Sequence, residues 1–344
     1  LGKVLKEPSF PNKIKYIPAD EGGQHGRRIG HIALPLEFDN SKIYAHHDCL
    51  HNQLISIHNR VIFDTKMEAD KSAHPYYIDA CKRFGRSLGL VPPITYAEFL
   101  DHYSGAKRTR YEQAVTKCQS YGVEPEDARV KMFIKLDKLK FGDDKPNPDP
   151  RAIQFRDPVY SAEFGTYLKP IERLIYHARG NRTNGLPPGR QIAKGLNQLA
   201  KGQLFRQKWD SFASPAGIVI DGTRFDAHVT EVLQRGEHLV YTSANPDPAF
   251  KRLLDLQKCN KVRTTRGIKY DVWYRRMSGD MNTAVGNCII MVMMVVSYFD
   301  RYFPDEYYQL MDDGDDCIIL VESTRKDILF PIGGTRFTDH CASL

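Results

Sequence analysis

The chain has 344 residues, 41% hydrophobic and 26% charged, an ordinary globular balance with length for two domains or one large lobed one. The 49 Lys+Arg against 42 Asp+Glu leave a net charge of +7, which fits a nucleic-acid partner without requiring one. Seven scattered cysteines with no C-x-x-C pair exclude a disulfide framework and point to a reducing compartment.

The first forty residues are rich in Gly, Pro and Lys and read as loop and short strand, with no signal peptide. The start at Leu1 is read as a processed product or fragment. "HHDCLH", 46–51, lacks zinc-finger spacing and reads better as helix or loop than as a metal cluster. From Ala73 to Tyr121 apolar residues recur at helical spacing, and Thr95 with Glu98 forms a candidate capping box.

At Val130 the pattern changes to alternating lysines and apolar residues, a strand signal, followed by a Gly/Pro/Asn turn and "RAIQF". The basic block is either a solvated hairpin or a positive wall facing phosphates. Gly189–Phe212 is expected as one basic amphipathic helix. Gly217–Ile220 is a short apolar strand with Asp221 at its carboxyl end, and the pattern turns helical from Asp226. Asp247–Lys269 reads as helix plus basic loop. "CIIMVMMVV", Cys288–Val296, is a buried helix, since a membrane span needs ~20 apolar residues. "YYQLMDDGDDCIILVE" is strand, acidic turn, strand.

Three motifs carry chemistry. D-x4-D, Asp221 and Asp226, presents a carboxylate rigidly at a strand end; alone it reads more readily as an Asp cap. S-G-x3-T-x3-N comprises Ser278, Gly279, Thr283 and Asn287. Thr283 and Asn287 share a helix face, their side chains donate and accept, and Gly279 permits close approach of a ligand. Alone it reads equally as a capped helix. G-D-D, Gly314, Asp315 and Asp316, sits in a hairpin; an EF-hand frame placed on Gly314 puts Gln309 and Leu320 at its first and last positions, so no calcium loop fits. Carboxylates from two distant strands are the minimum for a pair of metal ions ~3.5–4 Å apart, the usual device of nucleotidyl transfer.

"DGTRFD", "RRMSGDMNTAVGNCIIM" and "MDDGDDCII", in that order, resemble motifs A, B and C of positive-strand RNA virus RNA-dependent RNA polymerases. The wording is most similar to the tombusvirus and carmovirus group, and the basic block through "PRAIQF" resembles its motif F. The resemblance runs from about Val130 to Glu322. It implies an α+β right-hand fold: fingers at 1–212, palm at 213–230 and 273–325, a fingers insertion at 231–272 and a divergent tail at 326–344. It implies Mg²⁺, or Mn²⁺, on Asp221, Asp315 and Asp316. Asp226 and Asn287, with Ser278 near and Thr283 beside them, would sense the ribose 2′-hydroxyl. Arg151 would lie over the incoming triphosphate and Ile153 on the base; Lys138 and Lys145 match the motif F lysines more weakly. RNA template, nascent RNA and NTPs are the implied partners, with other viral replication proteins, at membrane-associated complexes in the host cytoplasm reached through other segments.

One departure stands out. Little chain follows Glu322, motifs D and E are not recognisable, and Lys326 lies too early for motif D's general acid. A thumb is therefore expected to be absent or truncated and activity weak or lost. The alternative is a catalytically inactive RNA-binding fragment. A reverse transcriptase shares the paired aspartates, but Asp226 and Asn287 suit an RNA product.

Overall fold

The computed structural model describes residues 13–18, 27–31, 42–62, 71–140, 148–181, 183–331 and 335–344. The chain begins with β1 (Lys13–Tyr16), β2 (Arg27–His31), β3 (Lys42–His46), α1 (Leu50–Arg60), α2 (His74–Ser87), α3 (Tyr96–Asp101) and α4 (Gly105–Tyr121). It continues through β4 (Val130–Ile134), β5 (Leu139–Lys140), β6 (Ala152–Phe155), α5 (Pro158–His177), β7 (Arg179–Gly180), β8 (Gly189–Arg190) and α6 (Gln198–Trp209). The last part holds β9 (Pro215–Asp221), α7 (Glu231–Ala244), α8 (Pro248–Asp255), β10 (Cys259–Thr264), β11 (Lys269–Trp273) and α9 (Thr283–Tyr302). After these come β12 (Gln309–Asp312), β13 (Asp316–Glu322), α10 (Lys326–Leu329) and α11 (Thr335–Ala342).

The apolar run around Met291 forms the axis of the molecule. Helix α9 is apolar on all sides, so it must be covered all round. Tyr77, Cys81 and Phe84 of α2, Leu168 and Ile171 of α5, and Leu233 and Val240 of α7 join it in one core, with Leu310, Ile319 and Val321 from β12 and β13. Among the described residues α9 is the one helix long and apolar enough to cross a membrane, and 83% of that stretch is buried inside the protein.

A second core lies under a five-stranded sheet ordered β1-β11-β10-β4-β6, antiparallel except for β10 beside β4. Val130, Met132, Val262, Tyr270 and Val272 fill it, closed by Ile57 of α1. Asp48, just before α1, accepts hydrogen bonds from Gln53, the Ile134 amide and Thr265, so "HHDC" staples α1 to this sheet. A second sheet, β12-β13-β9, has three strands and is fully antiparallel.

The capping box at Thr95 forms as expected: its hydroxyl accepts from the Glu98 amide at 3.2 Å and its own amide donates to Glu98 at 2.7 Å. Two expectations need correction. The basic stretch Gly189–Phe212 is not one helix. Gly195 takes φ +80° and the Asn197 side chain accepts from the Ala200 amide, which fixes the helix start at Gln198. Within α6 the buried residue is Lys208, so the helix has no apolar face. Residues 191–193 run extended against β12 instead. The expected basic loop before Lys269 is a central strand. In β10, Asn260, Val262 and Thr264 point inward while Lys261 and Arg263 point out, a period of two that the charges mask. The segment 231–272 therefore serves two layers, α7 in the main core and β10 in the large sheet.

Candidate active site

The acidic edge is built by strand pairing. Strands β9 and β13 run antiparallel in unbroken register from Pro215↔Glu322 to Asp221↔Asp316. Ile218 and Ile220 of β9 lean on the main core with Cys317, Ile319 and Val321 of β13, so alternation turns Val219 and Asp221 outward; Val219 is 77% exposed. Asp221 and Asp316 are thus both exposed at one end of the sheet. Asp315 joins them from the turn, where Gly314 adopts φ +106° and the Asp315 carbonyl accepts from the Gly222 amide at 3.2 Å. Among the described residues none of these three carboxylates pairs with a Lys or Arg. Burial, and then the charges of Asp315 and Asp221, raise the Asp316 carboxyl above its ordinary value.

The flanking acids differ from expectation. Alternation suggests that one of Asp312 and Asp313 is solvated. Asp312 is fully buried, and its carboxylate accepts from the Gly314 amide at 3.2 Å and lies against Cys288. Burial pushes its carboxyl well above the usual range. Asp313 is clasped by Lys194 at 3.1 Å and Lys201 at 2.5 Å. Burial acts against its charge, but the hydrogen bonds from Lys201 and Lys194 outweigh it and hold the carboxyl below the ordinary value. The chain around Ile192 adds a further edge beside β12: the Ala193 amide donates to the Asp312 carbonyl at 2.7 Å and the Asp312 amide to the Gln191 carbonyl at 2.9 Å.

Asp226 follows in a short 3-10 turn, 225–228, entered through Arg224 at φ +52°. The Asn287 side-chain amide donates to Asp226 at 3.1 Å, and the Arg276 amide donates to the Asp226 carbonyl at 3.0 Å. Burial raises the Asp226 carboxyl, and the Asn287 bond and Arg276 charge oppose it. The turn at Ser278 is tied to β6: the Ser278 hydroxyl donates to the Ala152 carbonyl at 3.2 Å, and buried Arg156 pairs with Asp280 at 2.9 Å. A Cβ on Gly279 would lie 2.5 Å from the Gln154 carbonyl oxygen. The close approach that Gly279 permits is therefore to β6, not to a ligand, because β6 already fills that space. Thr283 donates to the Met277 carbonyl at 2.9 Å and closes the same turn.

These elements enclose a cleft of about 210 Å³ lined by Asp226, Asp315, Ser278, Arg151, Ile153 and Gln154. Lys135, Arg60, Arg224 and Ser56 also line it. Lys138 is exposed and outside this lining, and Lys145 lies outside the described residues. Arg60 and Arg224 were not singled out from sequence. Both are held by Asp149: Arg224 pairs with its carboxylate at 2.7 Å and Arg60 donates to its carbonyl at 3.3 Å. The signal was present for Arg224, which lies inside D-x4-D. Burial lowers the Arg60 guanidinium, and the charges of Arg151 and Arg224 lower it further. A cleft lined by both carboxylates and neighbouring guanidiniums suits a polyanion held next to cations.

The donor set at the acidic edge consists of hard carboxylate oxygens, the chemistry that divalent Mg²⁺-like ions require. Among the described residues no three His, Cys, Asp or Glu side chains are closed up as a ligand set. The fit is one of donor type and uncompensated charge.

Residues 21–340 match the family described as Viral RNA dependent RNA polymerase, and the chain belongs to it. It is 38% identical over 258 residues to an RNA-directed RNA polymerase of Tobacco necrosis virus (strain D), covering 72% of this chain and 35% of that relative. Similar enzymes by name come from Groundnut rosette virus (strain MC1), 36% identical over 81% of this chain and 33% of the relative, and Melon necrotic spot virus, 36% identical over 86% and 37%. The chain spans about a third of the length of these curated relatives.

Proposed function

We propose that the chain catalyses template-directed transfer of nucleotides from NTPs to an RNA 3′-hydroxyl, in replication of a viral RNA genome. The observation that carries this reading is Asp221 register-opposite Asp316 beside a cleft that also holds the Asp226–Asn287 hydrogen bond.

In this reading Asp221, Asp315 and Asp316 hold Mg²⁺, with Mn²⁺ as a substitute. Bound there, the divalent ions supply activation of the 3′-hydroxyl and neutralisation of the triphosphate and departing pyrophosphate. The protein's own groups orient the substrate. The Asp226 oxygen left free by Asn287 accepts from the ribose 2′-hydroxyl, with Ser278 at the same wall, favouring NTP over dNTP and opposing the reverse transcriptase reading. Arg151, with Arg60, Lys135 and Arg224, faces the triphosphate, while Ile153 packs on the base. Thr283 acts through the turn it closes. Lys138, exposed outside the cleft, is assigned to RNA phosphates, and Lys145 is given the same role on the motif F resemblance alone.

The corresponding partition is right-handed, with fingers at 1–212 and 231–272 and palm at 213–230 and 273–325. RNA template, nascent strand and NTPs are the partners, with other replication proteins at membrane-associated complexes in the host cytoplasm. The relatives' shared name, RNA-directed RNA polymerase, supports an active enzyme over an inactive RNA-binding fragment. The test is incorporation of a labelled NTP on an RNA template with Mg²⁺ or Mn²⁺. Asp315→Ala is expected to abolish it while leaving thermal unfolding unchanged; a variant that still extends RNA refutes the assignment.

A further inference from the structure

Behind the Asp226–Asn287 pair lies a buried ion pair that the reaction itself does not use. Arg276 and Glu237 are 2% and 0% exposed at the side chain. Two guanidinium nitrogens of Arg276 donate to the two Glu237 oxygens, at 3.2 and 2.6 Å. Glu237 also accepts from Asn282 and from the Tyr241 hydroxyl, each at 2.9 Å. The third nitrogen, Arg276 Nε, donates to Asn287 Oδ1 at 2.9 Å.

That last bond has a directional consequence. A guanidinium has donors only, so it can be faced by the Asn287 oxygen and not by its NH₂. The NH₂ is thereby turned toward Asp226, where it donates at 3.1 Å. The Arg276 backbone amide holds the Asp226 carbonyl as well. Arg276 thus governs Asp226 twice, through its main chain and through the amide orientation of Asn287. The packing is built for the pair: a Cβ on Gly286 would lie 2.3 Å from Glu237 Oε1 and 2.5 Å from Arg276 Nη2. Buried ion pairs are often no more stabilising than apolar replacements, so a pair kept at this depth invites a role in specificity.

We propose that the Arg276–Glu237 pair is the positioning device for ribose selection: it fixes the orientation of Asn287 and so leaves one Asp226 oxygen free for a 2′-hydroxyl. The inference rests on the polymerase reading above. Arg276 and Glu237 are positioning residues, since neither lines the cleft.

The test is the ratio of kcat/KM for an NTP to that for its 2′-deoxy analogue, measured for the parent chain, Arg276→Lys, Glu237→Gln and Gly286→Ala. Lysine keeps the charge but loses the planar fork, and glutamine keeps the volume but loosens its hold on Arg276. Loss of one charge-assisted hydrogen bond predicts about a tenfold fall in the ratio. The fall should come through the NTP arm, with dNTP use little changed. A merely structural role lowers both arms alike and leaves the ratio intact, and that result overturns the proposal while the polymerase reading stands. If Arg276→Lys fails to fold, Glu237→Gln and Gly286→Ala decide by the same ratio. A parent chain that incorporates neither nucleotide overturns the polymerase reading and this proposal with it.

Discussion

Asp316 faces Asp221 as its register partner at the open end of β9 and β13, and both side chains are exposed. Two strands have brought like charges together at the point where the sheet stops holding water out. Binding of a cation to this edge stabilises the folded chain by mass action, since the unfolded chain lacks the site. Millimolar Mn²⁺ or Mg²⁺ is expected to raise the melting temperature of the parent chain. An Asp221→Asn, Asp315→Asn double variant should lose that rise. Scanning calorimetry with and without metal checks it, and an equal rise in both proteins counts against the edge as the metal site.

Asp313 predicts an acid-dependent stability. Its carboxyl is held below the ordinary value by Lys201 and Lys194. Its contribution is therefore complete above the unfolded Asp value of about 3.9 and is lost as pH falls through the lower, folded value. Asp313→Asn should cost about 1 kcal/mol near neutrality, a modest figure because all three side chains are partly exposed. The gap between parent and variant should close as pH drops from about 6 to about 2. Urea unfolding across that range reads it directly.

Lys208 predicts a slope of the same sign at the alkaline end. It is buried on α6 with its ammonium on Gln191 and Gln309 at 3.1 and 2.7 Å, with no carboxylate partner among the described residues, and burial pulls it down to about 8. The folded state then releases its proton before the unfolded state does. Stability contributed by this group rises with pH from about 8 toward the unfolded value near 10.4, by up to about 3 kcal/mol. Lys208→Met should abolish that component and be the more stable protein at neutral pH. Denaturant midpoints of the two proteins at several alkaline pH values settle the comparison.

Gly279 predicts a steric penalty. The neighbours of an added methyl are the Gln154 carbonyl at 2.5 Å and its carbon at 3.0 Å, both backbone and unable to step aside. Gly279→Ala is expected to cost about 1–3 kcal/mol. Gly202→Ala in α6, where nothing lies within 4 Å, serves as control and should gain roughly 0.5–1 kcal/mol. Similar destabilisation in both would remove the close-packing explanation.

The site residues were legible in sequence because each belongs to a short run with its own local geometry: a strand end for Asp221, a turn for Asp315 and Asp316, one face of a helix for Thr283 and Asn287. Their supports were not. Arg276 and Glu237 stand 39 positions apart, Lys194 and Asp313 119 apart, and Lys208 and Gln309 101 apart. No local pattern links such partners; only the folded chain does. The same limit explains the missed strand β10, whose outward charges concealed an inward face, and the overlong helix at Gly189. There a permissive glycine at 195 and the Asn197 cap start the helix only at Gln198 and leave the residues before them outside it. For Asp312 and Asp313 alternation says only that one of the two turns toward solvent; that Asp312 is sealed beneath Gly314 and Asp313 clasped by Lys194 and Lys201 depends on distant partners.

The unbroken pairing of β9 with β13 also means that the count of residues matters as much as their kinds. Removing a single residue between Pro215 and Ile220 would invert every side chain beyond the gap, sending Ile218 or Ile220 outward and Val219 toward the core. Asp221 would then meet the wrong partner even with every aspartate intact. The span from Pro215 to Asp221 behaves as a ruler, and substitutions should be tolerated there far more readily than insertions or deletions.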